Sequence, residues 1–206
     1  GLQILLTTHS PFFVNIEDLE GIVLVYKEDG MTRVRQLTRH EFAEHCVNLG
    51  APKQKITHEN ILPFYAANST NDLMSGLFAR AVVLVEGQTE LLALPVLLEE
   101  QGFEVNREGV AILNVGGKGN LAKWYRLYTA YNIPCYVVFD NDARDDRDGK
   151  KREDALVALG VAPSEVCTLV DADDWCVSDR YMIFGIDFEK TMRKYFRSYY
   201  DFEEQA

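Results

Sequence analysis

The chain has 206 residues, 47% hydrophobic and 26% charged, enough apolar material for a full core in one domain or one domain with an appendage. Its net charge of -11 argues against a surface that simply adheres to nucleic acid, since such affinity comes from Lys and Arg neutralising phosphates. No apolar run approaches the roughly 20 residues that cross a bilayer and no basic-then-apolar signal opens the chain, so a cytoplasmic protein is expected.

In chain order, residues 2–8 are an apolar, β-favouring run ending in His9-Ser10-Pro11, so the chain reads as beginning inside a strand, like a fragment. Residues 22–26 and 32–37 flank Lys27-Glu28-Asp29-Gly30, whose Asp-Gly predicts a hairpin. A helix is expected over 39–49, closed by Gly50-Ala51-Pro52. The stretch around 53–76 carries Pro63, Asn68, Ser69, Asn71 and Asp72 and reads as a connector with short helices. Strands are then expected at 81–85, 110–115, 135–139 and 166–170, and helices at 88–101, 121–131, 151–159 and 188–199. Alternation of this kind implies βαβ crossovers and a parallel sheet covered on both faces.

In such sheets ligands gather beyond the carboxyl ends of the strands, so acids there carry most weight. The 81–85 strand runs into Glu86-Gly87-Gln88-Thr89-Glu90, which puts Glu86 at the tip and Glu90 one helical turn on, able to point to the same spot. Asp140 and Asp142, two residues apart, can face one side while the chain is still extended. Between them Gly116-Gly117-Lys118-Gly119-Asn120 forms a turn so poor in side chains that a ligand could come close to the backbone. Four converging carboxylates would repel and desolvate one another unless cations were present. Oxygen-only donors select Mg2+ or Mn2+, and two such ions, with Ca2+ as a substitute occupant, suit phosphodiester hydrolysis.

The order strand-Glu-Gly, strand-Gly-Gly, strand-Asp-x-Asp resembles a Toprim domain over about residues 81–171. That resemblance implies metal coordination and catalysis by Glu86, Asp140 and Asp142. The Glu-Gly-x-x-Glu form is similar to the OLD (overcoming lysogenisation defect) family, which adds Glu90 to the metal site. Leu5-Leu6-Thr7-Thr8-His9-Ser10-Pro11 resembles the switch-histidine segment that ends an ABC-type ATPase core, which would make His9 a remnant of a nucleotide site. The expected division is therefore an ATPase remnant over 1–52, a connector over 53–79 and an α/β Toprim domain with a C-terminal helical part over 80–206. The partners implied are DNA and an N-terminal ATPase domain of the same protein, with no membrane; homodimer pairing is left open. No phosphate loop of the Gly-x-x-x-x-Gly-Lys-Ser/Thr kind is present, so no ATP turnover is expected of this chain.

Glu189, in Asp187-Phe188-Glu189, resembles a later acidic motif of the family and is a further candidate ligand, set against the ordinary preference of an acid for a helix start. The family's distal lysine is not located; Lys190 and Lys194 are candidates, and with Lys118 they are the expected contacts to a nucleic acid backbone. Cys46, Cys135, Cys167 and Cys176 lack paired spacing and are expected to be reduced thiols. His40 and His45 stand five apart, about 140° around a helix, so no zinc helix is expected. Asp145, Asp146 and Asp148 lack calcium-loop intervals and read as a solvated loop, with Asp145 a minor candidate for supporting a second metal. Beside a metal-dependent nuclease stand two other classes: a metal- and nucleic-acid-binding regulatory module that does not cut, and a phosphotransfer receiver or phosphatase using Asp140.

Overall fold

The computed structural model describes residues 4–143, 146–196 and 199. Strands β1 (Val23–Glu28) and β2 (Met31–Gln36) form an antiparallel hairpin with Val25 opposite Val34. Asp29 and Gly30 turn it with φ of 50° and 76°, the doubly left-handed geometry whose twist matches the flanking strands. Thr38 caps α1 (Arg39–Asn48): its hydroxyl accepts from Glu41 N at 3.1 Å, and the Glu41 carboxylate accepts from Thr38 N at 2.8 Å. Short helices α2 (Leu62–Asn68) and α3 (Asn71–Ser75) follow.

The α/β part follows as β3 (Ala81–Val85), α4 (Gln88–Glu100), β4 (Val110–Asn114), α5 (Lys118–Ala130), β5 (Cys135–Asp140), α6 (Lys150–Ala158), α7 (Pro163–Val170), β6 (Cys176–Val177), β7 (Tyr181–Phe184) and α8 (Phe188–Tyr195). The sheet order is β4-β3-β5-β7-β6. The first four strands in that order are parallel and only β6 runs antiparallel, against β7. All four parallel carboxyl ends therefore lie along one edge, where the loops carrying the acids emerge.

Alternation along β3 decides the two faces. Val82 and Leu84 join a large apolar cluster with Leu121, Trp124, Leu127 and Tyr128 of α5, whereas Val85 joins Val138, Phe184, Phe188 and Met192 on the other side. The larger cluster also takes in Ile16, Leu19, Leu37, Phe42 and Tyr65, so residues before β3 pack against the sheet as part of one core. Tyr65 packs on α5: its ring meets Trp124 edge-on at 5.6 Å and its hydroxyl donates to Lys123 O at 2.9 Å.

Three expectations are corrected. Residues 166–170 are not a strand but the end of α7, where Pro163 sets the first helical turn and the apolar positions follow a three-to-four spacing. The strand that borders β5 is instead β7, only four residues long, with β6 beside it. Residues 4–8 form no strand, because no neighbouring strand pairs with them among the described residues, and Ile4, Leu5 and Leu6 are exposed. Helix α8 ends at Tyr195, short of residue 199.

Candidate metal centre

The Asp140-Asn141-Asp142 segment is set by its middle residue. Asn141 Nδ2 donates to Leu169 O at 2.8 Å and Ala172 O at 2.9 Å, and Asn141 N donates to Gly185 O at 2.9 Å. From below, Arg152 Nη1 donates to Asn141 O at 2.8 Å. With Asn141 drawn inward, the extended chain turns the two aspartates the other way. Asp140 Oδ1 also accepts from Asp142 N at 3.1 Å, which fixes one aspartate against the next.

Glu86 leaves the tip of β3, and its carbonyl accepts from Gly117 N at 2.9 Å, stitching it to the turn after β4. That turn needs glycine: Gly116 and Gly117 have φ of 73° and 113°, a region that side chains rarely adopt. It delivers Lys118 as the first residue of α5. Glu90, one turn into α4, accepts from Gly87 N at 3.2 Å and is buried.

Glu86, Glu90, Asp140, Asp142 and Glu189 all line one concavity of about 280 Å³, together with Gly87, Thr89 and Asp187. Asp187 caps α8 by accepting from Lys190 N at 2.6 Å. Sequence reading passed over Asp187 and Thr89 as site residues; the available signal was Asp187 preceding a predicted helix by one residue, the position from which a cap can also face a ligand.

Lys118 is not on the surface, contrary to its expected role against a nucleic acid backbone. It is 5% exposed, and its ammonium lies 2.6 Å from Asp140 Oδ1 and 3.1 Å from Glu86 Oε1. Lys190 rests on Asp187 Oδ2 at 2.8 Å and Lys194 on Asp174 Oδ2 at 3.0 Å; neither lines the concavity. The Tyr195 ring stacks on Trp175 and its hydroxyl donates to Asp174. His9 is exposed beside the Phe78 ring, 6.3 Å between centroids. Asp145 lies outside the described residues, as do residues 197 and 200. Asp146 is not part of a solvated loop: it is 3% exposed and ion-paired to Arg152 at 3.0 Å.

The electrostatics are those of negative charge in excess. Burial first, and then the Asp140 charge, push the Glu86 carboxyl up to about 7 despite the nearby ammonium. Burial likewise raises Glu90 and Asp140. Burial alone would lower Lys118, but its hydrogen bond to Asp140 and the charges of Asp140 and Glu86 outweigh that and raise it. The cation is held more firmly while its acidic partners are strained because one ammonium serves two carboxylates, with more acids close by. Glu86 Oε2 is buried and has no hydrogen-bond partner among the described residues.

These features fit a hard divalent cation: every side-chain donor of charge facing the concavity is a carboxylate, and one buried oxygen lacks a donor. The acids are not closed into a cage, since no group of three or more His, Cys, Asp or Glu is arranged to hold an ion among the described residues. The Lys118 ammonium occupies one oxygen each of Glu86 and Asp140.

An α/β sheet with a glutamate beyond one strand, a glycine turn beyond its neighbour and Asp-x-Asp beyond the third is similar to a Toprim-type domain. Residues 77–142 match the family model of the overcoming lysogenization defect protein-like TOPRIM domain. The chain is similar to the Old nuclease of Escherichia phage P2, 27% identical over 143 residues, covering 69% of this chain and 22% of that protein. It is similar also to the OLD nuclease of Thermus scotoductus, 25% identical over 159 residues, covering 74% of this chain and 28% of that protein. The chain thus spans about a quarter of the length of these relatives. Among solved structures, the C-terminal region of the Burkholderia pseudomallei OLD protein aligns at 28% identity and a TM-score of 0.42, over 54% of this chain and 56% of that one. The corresponding region of the Xanthomonas campestris pv. campestris OLD protein aligns at 24% identity with the same TM-score, over 54% of each. No helix among the described residues is long and apolar enough to cross a membrane.

Proposed function

We propose that this chain carries the site of a divalent-metal-dependent nuclease that hydrolyses DNA phosphodiesters, with Glu86, Glu90, Asp140 and Asp142 as the residues that hold Mg2+ or Mn2+ and Glu189 and Asp187 beside them. The observation that carries the reading is the convergence of acids from two strand tips, those of β3 and β5, and from the start of α8 on one concavity, with a buried Glu86 oxygen that no donor among the described residues satisfies. The names of the two relatives as nucleases, and the family match over 77–142, point the same way.

When bound, divalent ions supply Lewis acidity at the phosphoryl oxygens and lower the pKa of water, two ions being the arrangement suited to in-line displacement. The chain's own residues do the positioning. Asn141 and Arg152 hold the Asp-x-Asp backbone, and Gly116 and Gly117 let Lys118 reach Glu86 and Asp140. As part of this proposal, residues 1–52 are the end of an ABC-type ATPase domain, 53–79 the connector and 80–206 the Toprim part, and His9 belongs to the nucleotide side rather than to this concavity.

The test is cleavage of plasmid and linear DNA by the purified chain with Mg2+ or Mn2+, against the same protein in excess chelator and against Asp140→Ala. Cleavage is expected only with the ion and is expected to fall by at least about 100-fold in the variant. Equal cleavage in chelator would sink the mechanism. Tight DNA binding without scission under any divalent ion would favour a non-cutting regulatory module instead.

A further inference from the structure

Lys118 has a place in the site that neither a phosphate contact nor ordinary packing explains. A lysine waiting for nucleic acid would need an exposed ammonium, and this one is buried, between Asp140 Oδ1 at 2.6 Å and Glu86 Oε1 at 3.1 Å. A purely structural buried pair balances one charge against one, as Arg152 does with Asp146. Here two carboxylates share one cation, Glu90 and Asp142 stand around them, and Glu86 Oε2 is left as a buried acceptor without a donor among the described residues. The turn that brings Lys118 there is itself specialised, requiring two successive glycines in the left-handed region.

We infer that Lys118 is a positioning residue, an internal counter-ion that gathers Glu86 and Asp140 at the rear of the site and leaves Glu86 Oε2 for a divalent cation. The inference rests on the metal-site reading above. Without Lys118 the two acids confront each other in a poorly solvated place, and either they separate or an external cation must take over the ammonium's part. With it, the pair is already assembled before the ion arrives, which lowers the reorganisation needed on binding.

The experiment measures thermal unfolding of wild type, Lys118→Met, Glu86→Gln and the double variant at pH 8, each in chelator and in excess Mn2+. In chelator, Lys118→Met is expected to lower Tm by on the order of 10 °C, since a buried pair has lost one partner. Mn2+ should recover more than half of that loss while shifting wild type less. The same substitution should cost less than half as much in the Glu86→Gln background, because one of the two confronting charges is gone. A lysine that only fills space would show the same cost in both backgrounds and no recovery with Mn2+, and that result overturns the inference. Should Lys118→Met not fold alone, folding of the double variant supports the coupling, and failure of both overturns it. Background dependence without any effect of Mn2+ would keep Lys118 as counter-ion and reject the metal-site reading.

Discussion

Two buried ionic clusters in this chain are built on opposite plans. Around Arg152 every charge is answered: Nε donates to Asp146 Oδ2 at 3.0 Å, Nη1 to Asn141 O and Val170 O at 2.8 Å each, and Nη2 to Asp146 O at 2.9 Å. Asp146 accepts in addition from Lys151 N at 2.9 Å and Arg152 N at 3.0 Å. Burial would raise the Asp146 carboxyl, but these hydrogen bonds outweigh it and hold the group below its ordinary value. Around Lys118 the acids outnumber the cation, Glu86 is pushed up to about 7 and one of its oxygens is unsatisfied among the described residues. A fully paired cluster holds a loop in place; an over-acidic one, on the proposed function, is where added cations would bind. The two are joined at Asn141, whose carbonyl is an acceptor for Arg152 and whose flanking aspartates face the acidic concavity. The balanced cluster therefore supports the unbalanced one.

The contrast breaks most visibly at Arg152. Arg152→Met leaves Asp146 buried without its cation, at a cost of about 3–5 kcal/mol, and thermal denaturation should show Tm falling by on the order of 10 °C. Divalent-ion binding measured by calorimetry should weaken as well, because the Asn141 carbonyl loses its anchor. A Tm within a degree of wild type would mean that the pair does not hold this loop.

A smaller effect sharpens the acidic side. Glu86 is raised from its ordinary 4.5 to about 7, so its contribution to stability is complete below the unfolded value and is lost as pH rises through about 7. That displacement is worth at most about 3 kcal/mol. In chelator, the Tm of Glu86→Gln should therefore gain on wild type progressively between pH 4.5 and 7; a gap that stays constant across that window would show that Glu86 ionises normally. Asp146, whose carboxyl is depressed, works in the opposite sense, its contribution present at neutral pH and lost in acid.

The smallest effect is the control. Asp148 and Lys150 pair at 2.6 Å in the same stretch as Asp146, but both side chains are mostly exposed. Solvent screens such a pair, and Asp148→Ala should leave the melting curve unchanged within error. A clear drop would blur the distinction between the exposed pair and its buried neighbour.

Local chemistry in the sequence decided much of this molecule. The Asp29-Gly30 hairpin, the capped α1, strands β3, β4 and β5 and helices α4 to α6 follow from periodicity and turn residues that act over a few positions. The acids at the strand tips were legible for the same reason, since a parallel sheet delivers them to one edge whatever the packing beneath. Other features depended on contacts distant in the chain. Residues 163–170 have an apolar content that suits either strand or helix, and β7 is too short to show a period; which one borders β5 is settled by the pairing of Asp140 with Phe184. Asp146 and Asp148 look alike in sequence, yet Arg152 buries one and leaves the other in water. Lys118, in a glycine turn that suggested exposure, is drawn inward by two carboxylates 32 residues upstream and 22 downstream. Sequence by itself supplied the acids; tertiary structure decided where the cations stand, because charge balance in a buried site is a property of all the groups that meet there and of none of them singly.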